Sequence, residues 1–323
     1  MSSYLAYKLH NGKNSKFLYY TKNYLSFLIP SIWFRCRREK VLRSLDSRED
    51  KDYILSRVNY YCKLDKITEL PHDALPINCC DNRRQKVYWL DSRIITRWFP
   101  TALKWVFKPG DITYVPDYPA FAKSRPICSG NENGVLLKLD KVRHFLFVND
   151  KKSFAEKKNM AIFRGDIRNK KNRIDFFEKY FGNPMCDLGD VSKNLPEHEE
   201  WKVRKMTIGD HLDYKFILAL EGNDVASNLK WVMSSHSIAV MPKPTCETWF
   251  MEGQLIPNYH YIEIKPDYSD LEERLQYYID HPIEAEAIIK NANQYTEQFK
   301  DKKRELLISL LVMEKYFKMT NQM

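Results

Sequence analysis

The sequence predicts an α/β protein whose second half repeats a strand, a loop and a helix. Short unbroken apolar runs at residues 160–163, 216–220 and 237–241 have the pattern of strands that are covered on both faces. A polar turn follows each of the first two runs, and apolar residues at helical spacing follow the turn. Strands joined by helices in this way run parallel and carry their loops at one edge. We therefore expect a binding site at residues 221–228 and 243–252.

The remaining elements follow from local signals. In the first half, strands are expected at residues 111–115, 125–128, 135–139 and 145–148, and the best domain boundary lies at residues 149–152. After residue 182 we expect a strand at 185–188, a short helix at 247–252 that Gly253 closes, and a strand at 260–265. A capping box at 269–272 and Pro282 each begin a further helix, and a last apolar helix covers residues 306–317.

Composition allows two domains and favours an anionic partner. The 323 residues are 44% hydrophobic, which is enough to fill two cores. The net charge of +10 suits phosphate, a lipid head group or nucleic acid and does not choose among them. Seven cysteines, an odd number, predict reduced thiols in a cytosolic compartment. We expect neither a signal peptide nor a transmembrane helix, since Lys22, Asn23 and Pro30 interrupt the most apolar stretch.

Residues 1–50 allow two interpretations. They are dense in tyrosine, phenylalanine and leucine and end in a basic cluster of Arg35, Arg37, Arg38, Lys40 and Arg43. An apolar patch beside cations could rest on an anionic membrane face. The plainer interpretation is a core helix followed by a solvated helix, which the irregular spacing of the cations favours.

Two loops of the second half carry candidate phosphate ligands. Arg164 ends a buried strand, Gly165 allows close backbone approach, and Arg173 opens the next helix. Guanidinium groups match phosphate oxygens bidentately, and a helix start adds free N–H groups. The alternative is an ordinary solvated basic loop. A second helix start, which Asn223 or Asp224 can cap, adds donors at the same edge. These donors are Ser227, Asn228 and Lys230. Two such sites on one edge suit a diphosphate.

Asp117 is the candidate general base of the first half. It lies at the end of a predicted strand between Pro116 and Pro119, which stiffen the turn. A carboxylate held in this way can accept a proton. The alternative is a turn former, which a lone aspartate usually is.

The sequence does not predict a metal site. The eight histidines are scattered without a pair at ligand spacing, and Cys79-Cys80 has no partner pair of cysteines. There is also no phosphate-binding GxxxxGK[ST] loop, no GxGxxG fingerprint and no nucleophile elbow.

A series of motifs in order resembles a known family. They are Phe163-Arg164-Gly165, Arg173, Ala226-Ser227, Leu229-Lys230, Glu247-Thr248-Trp249-Phe250, Pro257, His260-Tyr261-Ile262, Lys265, Asp267 and Ser269. This series is similar to that of the CAP10 or LpsA-like glycosyltransferases, which form glycosyltransferase family 90. The bacterial lipopolysaccharide core branch, of the LpsA type, looks closest at residues 220–226 and 251–253. The resemblance covers residues 111–317.

The resemblance implies a GT-B-like fold, in which two Rossmann-like domains face a cleft and C-terminal helices pack back across it. Residues 1–150 would form the acceptor-side domain with the catalytic aspartate, 151–300 the nucleotide-sugar-binding domain, and 301–323 a C-terminal helix and tail. The donor would be a UDP-sugar, either UDP-glucose or UDP-galactose. The transfer would invert the anomeric configuration and need no metal or other cofactor.

The resemblance also implies roles for individual residues. Asp-Tyr-Pro at residues 117–119 is similar to the motif that holds the family's catalytic aspartate, which makes Asp117 the expected base. The expected donor site comprises Arg164, Gly165, Arg173, Asp224, Ala226, Ser227, Asn228, Lys230 and Glu247. The sequence departs from the family at Pro116, where eukaryotic relatives carry arginine. The spacing from Arg164 to Arg173 also looks one residue longer, which affects the role of Arg173.

The implied acceptor is an inner-core heptose of lipopolysaccharide, met at the cytoplasmic face of the inner membrane. A capsular or other surface glycan is the alternative acceptor. The enzyme would be cytoplasmic, with peripheral membrane binding left open. From another class, a basic nucleic-acid-binding protein would also explain the charge, although no nucleic-acid motif is present.

Overall fold

The computed structural model describes residues 12–79, 86–193 and 198–323 and confirms the α/β class. Its strands are β1 Leu75–Pro76, β2 Lys104–Lys108, β3 Ala120–Ala122, β4 Ser124–Pro126, β5 Gly134–Leu136, β6 Lys158–Gly165, β7 Cys186–Asp190, β8 Tyr214–Leu218, β9 Ile238–Met241, β10 Cys246–Thr248 and β11 Ile262–Glu263. Its helices are α1 Lys16–Ser26, α2 Ser31–Arg43, α3 Lys51–Tyr61, α4 Lys86–Thr96, α5 Lys141–His144, α6 Lys171–Tyr180, α7 Ile208–His211, α8 Leu229–Met233, α9 Leu271–Asp280, α10 Pro282–Glu297 and α11 Lys302–Met319.

The chain divides into two compact units, each built from separate segments. Unit 1 comprises Met1–Asn14, Arg143–Pro244 and Gln254–Gln298, and unit 2 comprises Ser15–Val142, Thr245–Gly253 and Phe299–Met323. The acceptor and donor roles expected for residues 1–150 and 151–300 stay predictions, as does the GT-B-like arrangement.

Unit 1 is built on a five-stranded sheet in which every pair of neighbours is parallel. The strand order is β11-β9-β8-β6-β7. In chain order β6 comes first, and the chain places β7 on one side of it and β8 on the other. Open sheets bind ligands beyond the carboxyl ends of their strands at such a switch point. A ligand site is therefore expected beyond the carboxyl ends of β6 and β8.

One face of this sheet carries the core of unit 1. Phe163, Phe216 and Val240 of the sheet are buried in one cluster with side chains from α6 and α9. The contributions of those two helices are Phe176, Phe177, Tyr180, Leu271, Leu275 and Tyr278. The unbroken apolar runs of the sequence are thus the strands of a covered parallel sheet.

Unit 2 contains a second, smaller sheet and the longest of the described helices. In the order β1-β2-β3-β5, β1 is antiparallel to β2, and the other neighbours are parallel. Helix α11 begins after Asp301, whose carboxylate accepts hydrogen bonds from the main-chain N–H groups of Lys303 and Arg304 at 2.9 and 3.1 Å. It packs against α3 and buries Leu307, Ile308 and other apolar side chains.

Several sequence predictions are confirmed and others are wrong. The strands expected at 160–163, 185–188, 216–220 and 237–241 correspond to β6, β7, β8 and β9. The helix expected at 247–252 is wrong, because this segment contains β10, which pairs antiparallel with β4. The expected strands at 111–115 and 145–148 are absent from the described residues. The capping box at 269–272 is also wrong, because α9 begins after Asp270 without a side-chain cap.

Within the three described ranges, no helix combines the length and the apolar composition that crossing a bilayer requires.

Candidate functional site

Arg173 joins the loops that follow β6 and β8 at the switch point of unit 1. Its Nη1 donates to the carbonyl of Asp166 at 2.8 Å, its Nη2 to Leu220 at 2.7 Å, and its Nε to Glu221 at 2.9 Å. These three bonds use three of the five N–H groups of a guanidinium. Two N–H groups therefore remain for another acceptor.

The charge of Arg173 has no carboxylate partner among the described residues. None of the ion pairs there involves this side chain, although the charge of Asp166 is close enough to act on it. Burial lowers the pKa of Arg173 to about 10, so the group still carries its charge at neutral pH. A half-buried cation bonded only to neutral carbonyls is suited to an anionic ligand.

Two glycines keep the backbone close to this guanidinium. A Cβ atom on Gly222 would lie 3.2 Å from Nη2 of Arg173. A Cβ atom on Gly165 would lie 2.6 Å from Cζ of Phe163, which is too close for any side chain. The ring of Phe163 in turn lies 5.3 Å from the Arg173 guanidinium carbon. Side chains at either glycine would therefore disturb the position of Arg173.

Arg164 is placed differently, because its charge is neutralised within unit 1. Its Nη2 lies 2.5 Å from Oδ1 of Asp187, and its Nη1 donates to the Asp187 carbonyl at 2.7 Å. The hydroxyl of Tyr214 donates to the other oxygen of the same carboxylate. Burial alone would raise the pKa of Asp187, but the hydrogen bonds from Tyr214 and Arg164 outweigh it and lower the pKa. The sequence around Arg164 does not indicate Asp187 as its partner, because the two residues are 23 positions apart.

The loop after β8 and the start of α8 contain the other predicted donor residues of unit 1. Asp224, Ala226 and Lys230 are buried, and Ser227 is exposed. The side-chain amide of Asn228 donates to the carbonyl of Leu218 at 3.0 Å, which ties this loop to the end of β8.

The helix that follows is shorter than expected. Helix α8 has five residues and begins after Asn228, so the predicted caps Asn223 and Asp224 are wrong. Residues 222–228 form bends and turns instead of the expected first helical turn.

In unit 2, Asp117 is exposed and lines a cavity of about 480 Å³. We call this the Asp117 cavity. Its walls include Asp73, Trp105, Phe107, Lys108 and Tyr118. The rings of Trp105 and Phe107 stack with their centroids 4.6 Å apart. The cavity thus combines aromatic surface with two carboxylates and a lysine.

The backbone around Asp117 is held by two side chains that the sequence pattern does not indicate. The amide nitrogen of Asn133 donates to the carbonyls of Pro116 and Asp117 at 3.0 and 2.9 Å. The hydroxyl of Tyr316 donates to the carbonyl of Pro119 at 2.9 Å. In the sequence, Asn133-Gly134 indicates only a turn.

Glu247 also lies in unit 2, where it forms a buried ion pair. Its Oε1 lies 2.7 Å from Nε of Arg125, and the hydroxyl of Tyr60 donates to Oε2. The side chains of Arg125 and Glu247 are 0% and 2% exposed. Arg125 also donates to the carbonyls of Tyr60 and Gly134 at 2.6 and 2.9 Å.

The predicted site residues therefore fall into two groups. Unit 1 contains Arg164, Gly165, Arg173, Asp224, Ala226, Ser227, Asn228 and Lys230, and unit 2 contains Asp117 and Glu247. Among the described residues, no group of three or more histidine, cysteine, aspartate or glutamate side chains is arranged to hold a metal ion. Of the Cys79-Cys80 pair, Cys80 lies outside the described residues.

Comparison with known proteins identifies the family. The model of Glycosyl transferase family 90 matches residues 126–321. O-glucosyltransferase LpsA of Dichelobacter nodosus is 39% identical over 307 residues, which cover 94% of this chain and 95% of that protein. Protein O-glucosyltransferase 1 of Rattus norvegicus is 29% identical over 153 residues, which cover 43% of this chain and 37% of that protein. The chain belongs to glycosyl transferase family 90 and is a glycosyltransferase, as its motifs indicate.

Proposed function

We propose that this glycosyltransferase moves a hexose from a UDP-sugar to an inner-core heptose of lipopolysaccharide, with inversion and without a metal. The donor site is assigned from the position of Arg173, a half-buried cation at the switch point of a parallel sheet. The acceptor assignment draws on the similarity to O-glucosyltransferase LpsA. A capsular or other surface glycan is the alternative acceptor. The GT-B-like arrangement and a cytoplasmic location belong to the same proposal.

The donor diphosphate binds beyond the carboxyl ends of β6 and β8. The two remaining N–H groups of Arg173 donate to its oxygens, and Gly165 and Gly222 let the guanidinium lie close to both loops. Ser227 is exposed in the adjoining loop and adds a hydroxyl donor. As the sugar departs, negative charge grows on the diphosphate, and donors already in place stabilise it without reorganisation.

The acceptor sugar binds in the Asp117 cavity. The exposed ring of Tyr118 and the part-buried ring of Phe107 suit the apolar faces of a sugar, and the carboxylates of Asp73 and Asp117 accept hydrogen bonds from its hydroxyl groups. Asp117 takes the proton of the attacking hydroxyl as that oxygen bonds to the anomeric carbon. The bond from that carbon to UDP breaks on the opposite face, and its electron pair leaves with the diphosphate. Configuration at the anomeric carbon is thereby inverted.

An Arg173→Ala variant is expected to bind UDP about 10- to 100-fold more weakly, since a hydrogen bond to a charged group contributes roughly 1.5–3 kcal/mol. The same change removes three bonds to carbonyls, so its folding must be checked by circular dichroism and its melting temperature. Arg173→Lys retains the charge without the planar fork and should recover part of the affinity. Isothermal titration with UDP measures each variant.

Two neighbouring arginines serve as comparisons for this experiment. Arg168→Ala removes a half-exposed side chain that pairs with Asp166, and it should leave UDP affinity nearly unchanged. Arg164→Ala should weaken UDP binding less than Arg173→Ala, because Asp187 already neutralises Arg164. A folded Arg173→Ala variant with unchanged UDP affinity would move the diphosphate away from this edge.

An Asn133→Ala variant is expected to lower kcat about tenfold with little change in the KM for the donor. The amide of Asn133 fixes the backbone at Asp117, and its loss of two hydrogen bonds lets the carboxylate drift from its reactive position. Steady-state kinetics with UDP-glucose and truncated lipopolysaccharide measure both constants. Asn131→Ala is the matched control, because that side chain donates to Pro126 instead. Equal kcat values for Asn133→Ala and the unaltered protein would contradict this role.

A further inference from the structure

Helix α1 exposes its apolar face and packs through its polar one. Phe17, Leu18, Tyr24 and Leu25 are 76%, 66%, 47% and 59% exposed. Residues seven apart lie on the same face of a helix, so these four side chains form a single outward stripe. This finding shows that the interpretation of the segment as a core helix is wrong.

The opposite face of α1 explains this orientation. The hydroxyl of Tyr19 donates to the buried carboxylate of Asp91 at 2.8 Å, and Asn23 is buried. Arg97 donates to the carbonyl of Ser26 at 2.9 Å. Polar and aromatic contacts within unit 2 therefore fix α1 with its aliphatic side outward.

The exposed apolar stripe continues into the start of α2. Leu28 and Ile29 after α1 are 78% and 44% exposed, and Ile32 and Trp33 at the start of α2 are 58% and 45% exposed. Contiguous exposed apolar surface of this kind marks an interaction site more often than scattered single residues do. We name residues 17–33 of α1 and α2 the apolar patch.

Positive charge surrounds the apolar patch. Residues 16–43 contain seven lysines and arginines and one acidic residue, Glu39. Arg37 and Lys40 are exposed on the same face of α2 as Trp33, one and two turns further along, and Arg43 is exposed on the face of Ile32. The guanidinium of Arg37 lies 4.1 Å from the ring centre of Trp33, which links the cations to the apolar patch.

We propose that the apolar patch and these cations dock unit 2 on the surface of an anionic lipid bilayer. Aliphatic and aromatic side chains enter the boundary between head groups and acyl chains, while arginine and lysine side chains pair with lipid phosphates. Charge complementarity selects this occupant, since a second copy of the chain would bring the same positive charge against itself. The inference does not depend on the proposed donor, acceptor or reaction.

Sedimentation of the full chain with lipid vesicles tests the proposal. Phosphatidylcholine vesicles that contain phosphatidylglycerol should bind the protein at least about tenfold more strongly than pure phosphatidylcholine vesicles, and raised salt should weaken the binding. The double variant Leu28→Asp with Ile32→Asp should lose at least about tenfold in binding. Its matched control is Ile283→Asp, which alters an isoleucine that is 84% exposed in unit 1.

A second pair of variants tests the charges. Arg37→Glu with Lys40→Glu should weaken binding to the anionic vesicles, whereas Lys290→Glu with Lys303→Glu, at two other exposed lysines, should not. Quenching of tryptophan fluorescence by brominated lipid measures entry of Trp33 into the bilayer. The quenching should be smaller in a Trp33→Phe variant. Circular dichroism establishes that each variant is folded.

Three results would overturn the proposal. The first is absence of binding to anionic vesicles. The second is a loss of binding in Ile283→Asp as large as that in Leu28→Asp with Ile32→Asp. The third is binding to neutral vesicles as strong as to anionic ones. Light scattering that shows a dimer, dissociated by Leu28→Asp with Ile32→Asp, would instead assign the apolar patch to a second copy.

Discussion

An Asp117→Asn variant is expected to lose about 10²- to 10⁴-fold in kcat while its affinity for UDP stays nearly unchanged. General base catalysis by a positioned carboxylate contributes a factor of this size, and asparagine cannot accept the proton. Asp117 is exposed in the Asp117 cavity, and its backbone is fixed by Asn133, so the substitution should leave the loop intact. Single-turnover kinetics and UDP titration measure the two quantities.

Asp73→Asn is the matched control for this experiment, since it alters the other carboxylate of the same cavity. It should affect the KM for the acceptor more than kcat. Near-normal turnover in Asp117→Asn would end the assignment of Asp117 as the base. A large loss of kcat in Asp73→Asn alone would transfer that role to Asp73.

The sheet of unit 1 could be predicted from the sequence because its strands are covered on both faces. Such strands appear as unbroken apolar runs, and the three predicted runs correspond to β6, β8 and β9, while β7 corresponds to the strand expected at 185–188. The order of the strands could not be predicted, because it depends on packing between distant segments. The switch point between β6 and β8 therefore became visible only in the structure.

The short strands of unit 2 show the limit of local patterns. The segment around Glu247 has helical spacing and a glycine that could end a helix, yet it contains β10. Its partner strand is more than a hundred residues away, with Cys246 opposite Pro126 and Thr248 opposite Ser124. Local propensities cannot predict a pairing between segments so far apart in the sequence. Here the tertiary contacts override the helical pattern.

The residue types of the candidate site could be predicted from the sequence, but the sequence did not show which of its arginines is neutralised by a carboxylate. Arg164 and Arg173 looked alike in the sequence, as two arginines after a buried strand. The structure separates them, because Arg164 is neutralised by Asp187 and Arg173 is bonded only to carbonyls. This difference depends on which neighbouring strand reaches each guanidinium. It makes Arg173 the stronger candidate for the donor phosphates.

An Arg125→Ala variant is expected to destabilise unit 2 by about 3–5 kcal/mol, the cost of leaving a buried charge without its partner. Glu247 would keep its charge at a position that is 2% exposed, and the carbonyls of Tyr60 and Gly134 would each lose a donor. The close fit at Gly253, where a Cβ atom would lie 2.7 Å from Oε2 of Glu247, leaves little room for relaxation. Urea unfolding followed by tryptophan fluorescence measures the free energy of unfolding.

Replacing both partners distinguishes the cost of an unpaired charge from the value of the pair. An Arg125→Met, Glu247→Leu double variant removes both charges and should be less destabilised than Arg125→Ala, since buried ion pairs gain little over apolar packing. Lys171→Ala, at an exposed lysine, removes a surface pair with Asp175 and should change stability by less than about 1 kcal/mol.

UDP affinity is measured on the same variants and on Glu247→Gln. Folded Glu247→Gln with normal UDP affinity would assign Glu247 to the core of unit 2, whereas a selective loss of UDP affinity would return it to the donor site.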